Sequence, residues 1–448
     1  MKRLFVVTFA ILASICATGY AAIIPAEQNV LIAFYDATGG ANWTQADKWN
    51  SGFDGCTWYG VSCDGDGHVT SLMLSSNNLT GSVPDILRPD NGSDVSTAGG
   101  LPGLQFLNLR TNHLSGFLPG FAGLVALNFV DLGSNQFSGS MPDLTGLVAL
   151  QTLTLDGNGL TGAIAPSLSG LVSLQSFLAT NNQLSGNIPA LDALIALNNF
   201  GVGSNLLTGS IPDVSTLTNV TYFDVHANQL TGSIPALAGL TQLQSFLASS
   251  NALSGEIPSL TGLTKLQTFI VDSNQLSGAL PDLTGLDALA VLSAHLNLLS
   301  GPVVGLGTQV KLQLMDLYGN ALSGEIPDVS GLTELQYLDL SFNAFTGHVP
   351  DVDALNGLQF FYVNNNQLDG ELPDLSTVLT HLYGIGLSHN QLSGEMPAAP
   401  ATHIFLPGYS ELCPNNFATY FVDTVWDAAV DNPPWWAACD AIFKDGFE

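Results

Sequence analysis

Asp272 and His295 hold the same place in consecutive segments of a repeating frame, and Ser293 lies two residues before His295. A carboxylate, an imidazole and a hydroxyl in one neighbourhood are the raw material of acyl transfer. In that chemistry the imidazole takes the hydroxyl proton and the carboxylate orients the ring. Spacing argues against it here. Side chains two residues apart on one face of a strand are separated by roughly 7 Å, too far for direct proton transfer, and no oxyanion donor is implied. His226 and His295 could be weighed as metal ligands, yet they stand three segments apart, or roughly 14 Å at the spacing of stacked strands. Asp224 and His226 read as a surface hydrogen bond. The sequence therefore assigns no catalytic residue, no metal and no cofactor.

The same stretch supports binding better. His295, Leu314, Asp316, Tyr318, Tyr337, Asp339, Phe360 and Tyr362 recur at outward positions of successive segments and form the candidate ligand-binding set. Four aromatics on a solvent-facing sheet are costly unless covered, and such rings are favoured at interfaces and as stacking platforms. The alternative is that they stack along a ladder for stability, since aromatics suit strands. A second, weaker patch surrounds Phe106, Arg110, Phe129 and Asp131. Elsewhere the outward residues are small, as at Ser245, Ser249, Gly201 and Gly203.

What positions these residues is a repeat of period 23 with the frame LxLxxNxLxGxIP. It is anchored by Asn77, Asn112, Asn135, Asn158, Asn182, Asn205, Asn228, Asn251, Asn274, Asn297, Asn320, Asn343, Asn366 and Asn390. Two intervals are 24, one through an inserted Ala165, and the first is 35 because of the polar stretch Arg88 to Gly100. Residues five and three before each Asn, such as Leu107 and Leu109, point inward as alternate residues of a strand do; those six, four and two before it point outward. A single short strand cannot bury its apolar face, so neighbouring turns must pair in parallel and merge their cores. The Asn closes the bend by satisfying backbone groups of its own and adjacent turns, a structural task. Seven of the frame's prolines precede Asp, from Pro84-Asp85 to Pro373-Asp374, and these Asp residues are expected to cap short turns.

The runs LTGSVP at Leu79, LTGSIP at Leu207 and Leu230, and LSGEIP at Leu253 and Leu322 resemble the plant-specific class of leucine-rich repeats. The likeness extends to an N-terminal capping motif: an amphipathic segment Val30 to Tyr35, then Trp49, then Cys56-Thr-Trp58-Tyr-Gly60-Val-Ser-Cys63. The resemblance implies an α/β repeat fold, a right-handed curved solenoid with a parallel β-sheet on its concave face and about 14 repeats. It implies a local Cys56 to Cys63 disulfide that protects the open end of the core. A zinc reading of that pair would need two more ligands, with only His68 and the DGDG run nearby. The resemblance also implies an extracellular ligand-binding or inhibitor scaffold, without naming the ligand.

Composition bounds the rest. Hydrophobic residues make up 46% of 448 and charged ones 10%, which favours a buried core over disorder. Eight Lys and Arg against 37 Asp and Glu leave a net charge of -29, so nucleic acid and anionic membranes are poor partners, while a basic partner or cations fit. Met1-Lys2-Arg3 followed by the apolar run Leu4 to Ala13 has the layout of a secretory signal over residues 1–21 and is too short for a membrane anchor. The N-terminal cap then spans 22–68, the solenoid 69–397, and a C-terminal cap and tail 398–448. In that last part Cys413 and Cys439 read as a second disulfide, with Trp426, Trp435 and Trp436 between them. No membrane-length apolar segment or kinase domain follows Pro397, and the chain reads as a free or peripherally held monomer, secreted or at the cell surface. The ending IFKDGFE resembles short tails of exported proteins of some Gram-negative bacteria, which would place it in the periplasm or on the outer surface. The sequence leads to a non-catalytic scaffold for an extracellular protein or peptide. The alternative is a polysaccharide ligand, as for a glycan-binding adhesin, or a role as inhibitor of a polysaccharide-degrading enzyme.

Overall fold

The computed structural model describes residues 21–85, 100–375, 378–395, 405–406 and 410–417. The signal segment, most of the Arg88 to Gly100 insertion, Cys439 and the IFKDGFE tail lie outside the described residues. Cys413 is a disulfide cysteine.

The N-terminal cap is built on the helix Pro25–Ala37, whose first residue is a proline that gives up no intrahelical hydrogen bond. Val30, Leu31 and Phe34 are buried on its inner side. Trp43, Trp49 and Trp58 pack in series, with ring centroids 4.9 Å apart at each step. The Cys56–Cys63 disulfide is formed, with Cα atoms 5.5 Å apart. His68 is engaged by the buried Glu27, whose carboxylate lies 2.7 Å from His68 Nδ1 and accepts the Val69 amide at 2.7 Å. These aromatics and the helix cover apolar surface that a first repeat would otherwise leave open.

From the cap onward one sheet carries the concave face. Among the described residues it has 16 strands, running from Val61–Cys63 to Ser410–Glu411. The first pair is antiparallel and every later pair parallel. Most strands hold three residues, and their register repeats without slip: Phe223 faces Phe246, and Phe246 faces Phe269. A one-residue shift would turn the apolar column outward, so burial fixes the register. Strands just past the Asn, such as Gln183–Asn187 and Ala252–Glu256, build two further parallel sheets of six and seven strands along the flank. The opposite side is made of turns, with a 3-10 helix at Pro166–Gly170 where Ala165 is inserted. Asp residues after proline there cap turns as expected, Asp213 accepting the Ser215 amide at 2.9 Å and Asp282 the Thr284 amide at 2.9 Å.

The Asn column is the scaffold's internal fastening. Asn251 donates to the carbonyls of Ala248 and Ser249 in its own turn and of Val225 in the preceding one, and accepts the Leu230 amide at 2.9 Å. The residue before each Asn adopts a left-handed backbone, including the bulky Leu296 (φ 51°) and Phe342 (φ 55°). This conformation costs a non-glycine residue roughly 1 to 2 kcal/mol unless the surroundings impose it. The frame also continues past the boundary drawn at Pro397. Asn415 donates to the carbonyls of Leu387 and Leu412, both at 2.9 Å, and so takes the next place in the column.

Candidate functional site

Outward residues of the concave strands form a single face, and its chemistry changes along the solenoid. Near the cap, Arg110 reaches over two turns to Asp156 (2.9 Å) and Asp131 (3.4 Å). The guanidinium is consumed by its own neighbours, which hold it more firmly protonated. The second patch expected around Phe106, Arg110, Phe129 and Asp131 thus carries an internally neutralised cation.

Further along, His226 Nδ1 lies 2.6 Å from Asp224, whose other oxygen accepts the Tyr222 hydroxyl at 2.7 Å. His226 Nε2 lies 3.1 Å from Ser204 Oγ. Hydroxyl, imidazole and carboxylate follow one another as in a nucleophile with its base. The amides that would have to stabilise an oxyanion are already used, Ser204 N donating to the His226 carbonyl and Asn205 N to that of Ala227. The Asp224 carboxylate beside it raises the His226 pKa above its ordinary value.

Ser293 and His295 are closer than the roughly 7 Å expected from their spacing along the strand. Their side chains meet, with Oγ 3.1 Å from Nδ1, and Ser293 also donates to Asp272 at 3.2 Å. The roughly 7 Å between positions is a backbone spacing, and an imidazole leaning along the strand closes it. The arrangement still differs from a catalytic triad. Asp316 lies 3.1 Å from the same Nδ1 that meets Ser293, while Asp272 lies 3.6 Å from Nε2. His295 is thus clamped between carboxylates of the turns on either side, and its pKa is raised, first by Asp316.

Two turns on, the surface opens into a pocket of about 360 Å³. Five of the eight residues assigned from the sequence line it: Tyr318, Tyr337, Asp339, Phe360 and Tyr362. His295, Leu314 and Asp316 do not, although Asp316 is near enough to raise the pKa of Asp339. Sequence reasoning missed Ser341, Phe342, Asn364, Gly386 and Glu411. Phe342 packs edge-on against Tyr318 with centroids 5.3 Å apart. Tyr337 meets Phe360 at 5.8 Å and Tyr362 at 6.2 Å. The rings therefore bury parts of one another, and Tyr318, Tyr337, Phe360 and Tyr362 are half-buried rather than exposed as expected. Gly386 makes the floor possible: a Cβ there would lie 2.4 Å from Asn364 Oδ1 and 2.7 Å from Tyr362 Cδ1. Asp339 is only 9% exposed, accepts the Ser341 amide at 2.9 Å and the Tyr337 hydroxyl at 3.3 Å, and has its pKa raised mainly by burial.

Comparison with known proteins agrees with this architecture. Residues 24–64 match the leucine rich repeat N-terminal domain, and residues 68–89, 149–171 and 334–352 match the Leucine Rich Repeat. The Nodulation receptor kinase of Pisum sativum is 39% identical over 67 residues, which are 14% of this chain and 6% of that protein, so the chain spans a small part of this curated relative. The crystal structure of a TDR receptor is 30% identical with a TM-score of 0.69, covering 80% of this chain and 70% of that one. The plant peptide hormone receptor RGFR1, solved in complex with RGF2, is also 30% identical with a TM-score of 0.69, covering 76% of this chain and 58% of that one. Neither the pea protein nor the hormone receptor supports the bacterial origin suggested by the tail. No helix among the described residues is long and apolar enough to cross a membrane. Stacked parallel turns fastened by an Asn column, a matching N-terminal cap and a likeness over most of a solved receptor lead to one conclusion: the chain belongs to the leucine-rich-repeat family.

Proposed function

We propose that this protein is an extracellular, non-catalytic scaffold that holds a peptide against its concave sheet, with Tyr318, Tyr337, Asp339, Phe360 and Tyr362 at the centre of the contact. The observation that carries this reading is the pocket itself, a depression walled by half-buried rings from neighbouring turns. Rings that are already ordered lose little freedom when a ligand arrives, which favours them as anchors. The peptide held by RGFR1 supports the same use of a similar solenoid. Secretion is supported by the signal-like N-terminus and by the Cys56–Cys63 disulfide, a bond that persists in oxidising surroundings.

A glycan ligand fits less well. A sugar ring stacks best on an exposed aromatic face, whereas Tyr337 and Phe360 are inclined at 50°, and Phe360 and Tyr383 at 53°, so that edges and faces cover one another. The test is selection of binders from a displayed peptide library, followed by competition. Selected peptides should lose binding to Tyr337→Ala and Phe360→Ala and keep it in excess soluble polysaccharide. Peptides that ignore both substitutions, or displacement by polysaccharide, would overturn the reading.

A further inference from the structure

Seven carboxylates stand in the outward columns of the described concave strands: Asp131, Asp156, Asp224, Asp272, Asp316, Asp339 and Glu411. The first five have a cationic partner on the same face, Arg110 for two of them, His226 for one and His295 for two. Asp339 and Glu411 have none within 4.0 Å among the described residues, and they are the two that line the pocket. Where the rest of the face places an arginine or a histidine, the pocket places aromatic rings.

We propose that this pocket takes a cationic peptide side chain, arginine or lysine, which supplies the missing ion pair to Asp339 and lies against the rings of Tyr337, Phe360 and Tyr362, while Glu411, three strands along the sheet, adds negative charge to the same lining. Ring faces attract a cation through their quadrupole, and the attraction grows as water is excluded. A carboxylate as covered as Asp339 gains more from a partner than an exposed one, because burial and the nearby Asp316 both penalise its charge. Glu411 Oε2 already accepts the Ser388 hydroxyl at 3.1 Å, which holds the group in place. The net charge of -29 draws basic ligands toward the molecule, and the pocket selects where the charge settles.

This inference rests on the peptide reading and is tested separately from it. Acetyl-Gly-Arg-Gly-amide and its citrulline twin, which keeps the shape and loses the charge, are titrated into the full chain. Tyrosine ring resonances are followed in about 0.15 M salt, where charges more than about 8 Å apart are largely screened. The arginine peptide should bind, with the citrulline twin at least about tenfold weaker. Asp339→Asn should remove that preference, with Glu411→Gln as a second variant should the first fail to fold, while Glu256→Gln on the flank leaves it intact. Equal binding of the twins overturns the proposal, and so does silence from both up to about 10 mM, the weak limit of a single-side-chain contact. Equal loss in Glu256→Gln and Asp339→Asn also overturns it, since diffuse attraction would then suffice. Library peptides that need Tyr337 but no basic residue would sink this inference and leave the peptide reading standing. Arginine preference without any library binder would do the reverse.

Discussion

Two rows of aromatic residues run along this solenoid one backbone position apart, and they do different things. Phe177, Phe200, Phe223, Phe246 and Phe269 sit five residues before their Asn and point inward, with centroids 5.2 to 5.9 Å apart and the rings close to parallel in the last three contacts. All five are fully buried. Tyr337 and Phe360 sit six residues before theirs, and Tyr362 four, so they point outward; Tyr337 meets the other two at 50° and 64°, while Phe360 and Tyr362 lie at 29°. One step in register converts a packing column into a walled pocket. The inner rings repeat a single shape from turn to turn, whereas the outer rings enclose a space.

Breaking the inner row should have the largest effect. Phe223→Ala removes a ring stacked on both sides and is expected to cost about 3 to 5 kcal/mol in urea unfolding, with no change in peptide affinity of the folded fraction. A loss below about 1 kcal/mol would mean that the inner row is loosely packed and the contrast false. Asn251→Ala comes next. It leaves the Leu230 amide without its acceptor and takes one of two donors from each of three carbonyls, and about 1 to 3 kcal/mol should be lost. A silent substitution would separate the Asn column from stability.

On the outer row, Tyr337→Ala should lower stability by about 1 kcal/mol, since the ring is half-buried and partnered, and should lower peptide affinity by at least about tenfold. The order of these two effects, small on folding and large on binding, is what distinguishes an outer ring from an inner one. Smallest is the response to pH. His226 and His295 have folded-state pKa values raised above the ordinary 6.5. Their contribution to stability is therefore complete below 6.5 and is lost as pH rises through the raised values. Chemical denaturation of the wild type should weaken across that window, and the joint variant His226→Gln with His295→Gln should flatten the slope. An unchanged slope would show that the two clamps do not couple to folding.

The fold was legible because its determinants are local and repeated. A leucine at two fixed offsets and an Asn at a third leave one way to bury the apolar column, and Phe223 or Leu107 could be placed inward without any coordinate. Half of the pocket was legible for the same reason, since Tyr337, Asp339 and Phe360 stand in outward columns. The other half was not. Phe342 occupies the turn position before its Asn, where only the left-handed backbone turns its ring toward Tyr318. Glu411 lies where the sequence frame thins to Leu412 and Asn415. Gly386 and Asn364 are in the right columns but carry no signal of their own until Tyr362 is seen leaning over the glycine. The 3.1 Å contact of Ser293 with His295 depends on side-chain lean, which a count of backbone positions does not contain.

The Asn column has a mechanical consequence. Each side chain ties its own turn to the one before it and to no turn farther away, so the fastenings act in series like stitches along a seam. Force applied to the two ends would then open the molecule one turn at a time. Each stitch would release a period of 23 residues and lengthen the chain by up to about 80 Å at full extension.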